Sequence, residues 1–396
     1  AAAGNEYEDD VHIGYTAEAT ERSTPFTFTP GSGEGFLDIW YDPPGVIDFK
    51  VETFTLGGTP VGDTGWVILG NTVNNISIQN GGLTYGRMDL DASETANSNN
   101  SARHVVVSVY QSGFQSIGSD NLTFKLWTRG TGAFDAWNDY GFFGNSGDGI
   151  TYSGNGEKTV GLPAVAADII AVANYVTRNS WTGLDGFPYV RNETVDDIAD
   201  SSSRGPSRDE ARTGIKPEIA APGTFIGAAL SSTANGVGAG EKSADGKHAY
   251  FFGTSMSTPH VTGVAALMLE KKGSLTPAMV RTLITDNAVA DANVGAAPNY
   301  TWGYGKLDAL AAVQGVTTTA AGIPTGLVLL TAVPASLTPN GTSQSTVVSG
   351  IVRDSSQDAV PDNSVFNVEV TRGSGNVRAL DEGDVSFATT ATVETS

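Results

Sequence analysis

Apolar residues change their spacing twice along this chain. Between residues 16 and 145 they fall in short β-branched or aromatic runs: Leu37-Asp38-Ile39-Trp40-Tyr41, Ile47-Asp48-Phe49-Lys50-Val51, Val105-Val106-Val107-Ser108-Val109-Tyr110 and Leu122-Thr123-Phe124-Lys125-Leu126-Trp127. Gly, Pro, Asn and Asp separate the runs. Such spacing predicts short antiparallel strands packed as a sandwich or jelly roll. Residues 146–316 read differently. Asp168-Ile169-Ile170-Ala171-Val172-Ala173 predicts a buried strand. Residues 256–271, rich in Ala, Val, Leu and Met, predict a buried, rigid helix. Thr276-Pro277-Ala278 opens a second helix, Met279 to about Asn287, with Thr276 as N-cap and Pro277 at its first position. Asp308 to Val313 predicts a third, short helix. Strands alternating with helices indicate an α/β layer.

Alternation returns after an apolar, Thr- and Ala-rich connection over 317–333. The runs 345–352 and 365–370 predict an immunoglobulin-like β-domain that ends without an evident final strand. At the other end, Ala1-Ala2-Ala3-Gly4-Asn5 reads as the end of a buried strand. The chain is therefore expected to begin part-way through its fold, and the lack of a visible signal peptide is uninformative.

Composition narrows the classes. The 396 residues suggest two or three domains. With 39% hydrophobic and 16% charged residues the chain can build cores. A formal net charge of -21 repels phosphate backbones, which excludes nucleic acid as an expected partner, and it suits a secreted or surface protein. The acidic excess could recruit a structural calcium ion, although no EF-hand loop specifies one. There is no cysteine, hence no disulfide framework and no thiolate chemistry. No run of about 18 apolar residues predicts a membrane span.

The densest chemical signal is Gly253-Thr254-Ser255-Met256-Ser257-Thr258-Pro259-His260-Val261, followed by Thr262-Gly263-Val264-Ala265-Ala266-Leu267. Ser255 precedes a helix, where unpaired N–H groups favour developing negative charge. Gly253 permits close backbone approach, and Pro259 is expected in the first helical turn. A serine on a rigid helix start suits acyl transfer. An N-cap serine on a core helix is the plainer alternative. Ser257 stands where a G-x-S-x-G elbow needs glycine, which counts against a lipase or esterase.

The string resembles the nucleophile motif of subtilisin-like serine peptidases. Ala2-Ala3-Gly4-Asn5-Glu6 resembles the strand end that delivers that family's oxyanion-hole asparagine. Ser202-Ser203-Arg204-Gly205-Pro206-Ser207, Lys216-Pro217-Glu218-Ile219-Ala220-Ala221-Pro222-Gly223 and Trp302-Gly303-Tyr304-Gly305-Lys306-Leu307-Asp308-Ala309 resemble further family segments, in the family's order. The intervening β-rich block is similar to the jelly-roll insertion of subtilisin-like proteases of spore-forming bacteria. Ala133-Phe134-Asp135-Ala136-Trp137 and Val160-Gly161-Leu162-Pro163-Ala164 fit its end and the return to the core.

The resemblance implies a catalytic Asp and His that precede the oxyanion asparagine, where this chain has only four residues. Both are expected to be absent. The chain's own histidines are expected to serve otherwise. His12 follows an acidic loop and is expected at the surface, His104 begins a strand, and His248 lies exposed in a Gly-rich stretch. His260 falls roughly 140° around the helix from Ser255. Asp63-Thr64-Gly65 imitates the family's Asp motif but reads as a turn between strands.

The expected architecture is α/β: a partial three-layer subtilisin-like core with a parallel sheet (1–15 and 146–316), an inserted antiparallel β-sandwich (16–145), and a linker with an incomplete Ig-like β-domain (317–396). The resemblance implies peptide-bond hydrolysis through a Ser255 acyl-enzyme, with Asn5 and the Ser255 N–H as oxyanion donors. Protein or peptide substrates are implied, with no cofactor required for catalysis. The alternative is a non-catalytic adhesive protein on a degenerate peptidase scaffold, touching a cell surface through its Ig-like domain.

Overall fold

The computed structural model describes residues 1–144 and 153–317, with four further strands between residues 330 and 394. Packing divides the chain into two units: Ala1–Pro259 with Ala290–Lys306, and His260–Val289 with Leu307–Ser396.

In the first unit, two-residue alternation builds ten strands: β1 (His12–Ala17), β2 (Arg22–Phe28), β3 (Glu34–Tyr41), β4 (Val46–Thr55), β5 (Pro60–Asp63), β6 (Thr72–Asn80), β7 (Leu83–Glu94), β8 (Arg103–Gln111), β9 (Leu122–Asn138) and β10 (Gly141–Phe143). They pair in the order β10-β2-β9-β3-β8-β7-β6, with β1 and β4 also on β9 and β5 on β4. Along β4, Ile47, Phe49 and Val51 are buried, while Asp48, Lys50 and Glu52 stay partly exposed.

β9 serves two sets of partners. Up to Thr131 it pairs with β2 and β4, and from Gly132 with β1 and β3. The switch falls at Gly130 and Gly132, whose φ values of +134° and +124° favour glycine. A Cβ on Gly130 would lie 2.1 Å from the Val46 carbonyl oxygen. With β9 turned there, the two halves share one core: the Phe49 ring meets Tyr41 at 5.9 Å and Phe134 at 5.8 Å, and Phe26 stacks on Phe124 at 5.1 Å.

The rest of the first unit holds β11 (Val172–Tyr175), the hairpin β12 (Ser180–Thr182) and β13 (Pro188–Val190), a helical turn α1 (Glu210–Thr213), β14 (Ile219–Pro222), the hairpin β15 (Ile226–Ala229) and β16 (His248–Phe251), and the start of α2 (Thr254–Lys271). β11 and β14 are parallel, Ala2 bridges Val172, and Ala220 bridges Lys306, both in parallel. Segments far apart in sequence thus lie side by side. Ala171, Val172, Ala173, Ile219, Ala220 and Ala221 are all fully buried, as parallel strands require.

Three local expectations are corrected. The strand expected over 168–173 starts only at Val172, because the carbonyls of Ala166 and Ile169 turn toward the Lys216 Nζ, at 2.8 and 2.5 Å. Pro259 lies in the second turn of α2, so Ser255 has no N–H donor four residues on. Helix α2 is also not buried all round. Val261, Val264 and Met268 are buried, but Leu267 and Leu269 are exposed.

In the second unit, α3 (Pro277–Asp286) starts where expected, with the Thr276 hydroxyl accepting from the Met279 N–H. Helix α4 (Ala309–Gln314) is capped by Asp308, which accepts from the Ala311 N–H at 2.8 Å. β17 (Leu330–Val333) pairs with β18 (Thr346–Ser349), and β19 (Val365–Glu369) with β20 (Thr390–Glu394). The other residues assigned to the Ig-like domain lie outside the described residues.

Candidate active site

Asn5 and Ser255 come together through Thr254. The Asn5 Oδ1 accepts the Thr254 backbone N–H at 2.9 Å, one of the donors that a helix start leaves unpaired. The fully buried Thr254 hydroxyl accepts the Gly4 N–H at 3.1 Å and lies 3.2 Å from both the Gly4 carbonyl and Asn5 Oδ1. Gly253, at φ +122°, fits beneath the amide: a Cβ there would stand 3.0 Å from Asn5 Oδ1.

With Oδ1 holding Thr254, the Asn5 Nδ2 is left as the outward donor. Neither Nδ2 nor the Ser255 N–H has a hydrogen-bond partner among the described residues, and both residues are exposed. An outward serine at a helix start beside two unspent N–H donors can place an electrophilic carbonyl and stabilise the negative charge formed on attack.

Two further segments hold this arrangement. The Ser203 N–H donates to the Gly4 carbonyl at 3.0 Å, and the Ser203 hydroxyl donates to Glu6 Oε2 at 2.7 Å while accepting the Glu6 N–H. Gly253 donates to the Gly223 carbonyl at 2.9 Å. Deeper down, the buried Lys216 Nζ meets Glu218 Oε1 at 2.7 Å, and Glu218 Oε2 accepts the Ala171 N–H. Gly303 lies against the Glu218 backbone, where a Cβ would come within 2.3 Å. The five matched segments are therefore linked by contacts into one set. Sequence reasoning did not single out Thr254 or Ser203 as positioning groups. Both lie inside quoted motifs, but nothing in the sequence pairs position 254 with position 4.

The histidines are engaged elsewhere. His12 is not a surface residue: it is 2% exposed, with Nε2 3.0 Å from Asp135 Oδ1 and Nδ1 2.8 Å from Asn155 Oδ1. The acidic loop before it is exposed, but β1 carries the ring inward against Trp137. Burial alone would raise the Asp135 carboxyl, yet hydrogen bonds from His12 and Lys158 and the Lys158 charge outweigh it and hold the group below the usual carboxylate range. His104 lies between Asp38 and Glu94 and stacks on Trp40. His248 is exposed and pairs with Asp245, and His260 lies five residues beyond Ser255 in α2. Asp63 ends β5, and its Oδ1 accepts the Gly65 N–H at 2.7 Å. Among the described residues, no group of three or more His, Cys, Asp or Glu is placed to hold a metal ion.

Residues 143–305 match the sequence model of the Subtilase family. The chain is 31% identical over 140 residues to the subtilisin-like protease SBT2.6 of Arabidopsis thaliana, covering 31% of this chain and 17% of that protein. It is 35% identical over 122 residues to bacillopeptidase F of Bacillus subtilis (strain 168), covering 30% of this chain and 8% of that protein. The chain thus spans less than a fifth of the length of these relatives. Among solved structures, the Clostridium perfringens CspB protease superposes with a TM-score of 0.57 at 19% identity, covering 80% of this chain and 59% of that one, a likeness of fold.

Proposed function

We propose that this chain carries the nucleophile and oxyanion site of a serine-type endopeptidase that attacks peptide bonds through Ser255. The observation that supports the reading is the Asn5–Thr254 hydrogen bond beside Ser255. In the proposed step, the Ser255 hydroxyl oxygen attacks the scissile carbonyl carbon and a base takes the hydroxyl proton. The Asn5 Nδ2 and the Ser255 N–H hold the resulting oxyanion. The C–N bond then breaks as the base passes its proton to the leaving amine. Water, deprotonated by the base, attacks the acyl carbon and breaks its bond to Ser255, whose oxygen takes the proton back. Substrates are proteins or peptides, encountered outside the cell or at its surface. We further infer that the block expected over 16–145, whose described strands run from His12 to Phe143, is an inserted β-sandwich.

The base is a separate matter. Both ring nitrogens of His12 and of His104 are taken up by hydrogen bonds, His248 is exposed beside Asp245, and among the described residues no histidine is hydrogen-bonded to Ser255. The chain alone is therefore expected to turn over peptides no faster than oxyanion stabilisation permits. The test is labelling with a fluorophosphonate, with free imidazole added as an external base. Slow labelling that depends on Ser255 and quickens with imidazole is expected. Rapid labelling without imidazole would place a base within these residues. Labelling no different in Ser255→Ala would favour the non-catalytic scaffold.

A further inference from the structure

Phe252, the residue before Gly253, belongs to a group of aromatic side chains that the proposed mechanism does not use. Ile226 pairs with Phe251 at the end of the β15–β16 hairpin, which sets Phe225 opposite Phe252. Their rings meet edge to face at 5.8 Å. Phe225 is 3% exposed and packs on Trp181 at 4.0 Å, which in turn stacks on Tyr189 of the neighbouring hairpin at 5.0 Å. Phe225 also adopts φ +52°, sparsely populated by residues with a Cβ, so its ring position is imposed by packing.

Phe252 is different: it is 50% exposed. One side of its ring is covered by the Arg191 guanidinium, 4.2 Å from the centroid. Arg191 is held by Glu193, whose buried carboxylate accepts from Nε at 2.8 Å and from Nη2 at 3.4 Å. Phe252 is thus a half-exposed aromatic ring on a rigid base, one residue before the Gly253 that lies against Asn5 and three before Ser255.

We propose that Phe252 is a specificity-determining residue, its open ring forming one wall of a subsite for a bulky apolar substrate side chain close to the bond attacked by Ser255. The inference rests on the peptidase reading above. Orienting the ring in advance lowers the entropic cost of binding, and apolar or aromatic groups gain most from stacking against it. An acidic occupant is disfavoured. Arg191 already pairs with Glu193, and the net charge of -21 repels anions. Arg178, exposed over the Tyr250 ring at 5.2 Å, is the group that would attract one.

The experiment measures binding to the full chain, by calorimetry, of acetylated alanine octapeptides carrying one Phe, Leu or Glu at successive positions. The Phe and Leu peptides should bind better than the all-alanine peptide at one position. Phe252→Ala should weaken the Phe peptide about tenfold while leaving the alanine peptide within about twofold. Phe252→Leu should restore part of the preference. Equal binding of all peptides, or a preference that survives Phe252→Ala, overturns the proposal. So does a preference for Glu that disappears in Arg178→Gln. Ser255 labelling is read in parallel: labelling without side-chain preference rejects the subsite alone, and loss of both labelling and peptide binding rejects the peptidase reading with it.

Discussion

The Asn5 side chain accepts a hydrogen bond from the backbone N–H of Thr254 across 249 residues of sequence. The same contact turns the amide nitrogen away from the helix. Replacing Asn5 with alanine removes a proposed oxyanion donor and one tie to α2. Imidazole-supported labelling of Ser255 is expected to slow by about 10²–10³, a magnitude set by measurements on subtilisin itself. Thr254→Val keeps the shape but strands the partly buried Gly4 N–H. It should cost about 1–3 kcal/mol in urea unfolding, with Thr254→Ser recovering most of the loss.

Gly253→Ala tests the fit beneath Asn5. At φ +122° a side chain is strained, and the new Cβ would press on the amide at 3.0 Å. A loss of about 1–3 kcal/mol in stability is expected. Labelling of Ser255 should fall further than the unfolded fraction explains, because the amide is displaced. The check is the labelling rate at a temperature where circular dichroism shows the variant fully folded.

Lys216 is fully buried, and its ammonium group is shared among Glu218 and two backbone carbonyls. Lys216→Met leaves the Glu218 charge without its counter-ion and is expected to cost about 3–5 kcal/mol. The double variant Lys216→Met with Glu218→Gln should be less damaged than Lys216→Met alone, since no uncompensated buried charge remains. Urea midpoints of the native chain and the two variants provide the comparison.

His104 should make stability depend on pH. Burial, the largest single influence, lowers its pKa, but hydrogen bonds and charge from Asp38, and then from Glu94, outweigh it and leave the value raised. The folded chain therefore keeps the proton to higher pH than the unfolded chain. The stabilisation is fully present below the ordinary histidine value, about 6.5, and is lost as pH rises through the folded value. The urea midpoint should fall from about pH 6 toward pH 8 more steeply in the native chain than in His104→Gln. An equal slope in the two would remove His104 as the cause.

Short-range physics left a clear record in this sequence. The alternation in β4 and β8, the Thr276 and Asp308 helix caps and the turn at Asp63 follow from neighbours within a few residues. The Gly253–Ser255 string likewise marks Ser255 as a candidate nucleophile, because a glycine and a helix start are local features. What depended on partners far along the chain was not legible. The acidic loop suggested a surface His12, yet Asp135 and Asn155 receive its ring inside the protein. The run Asp168-Ile169-Ile170 has the composition of a strand, but Lys216 draws carbonyls from around it and delays the strand to Val172. The same holds for the candidate site. Position 254 meets positions 4 and 5 only because parallel segments and α2 converge there, and hydrogen bonds of about 3 Å between distant residues follow from tertiary packing that no local pattern encodes.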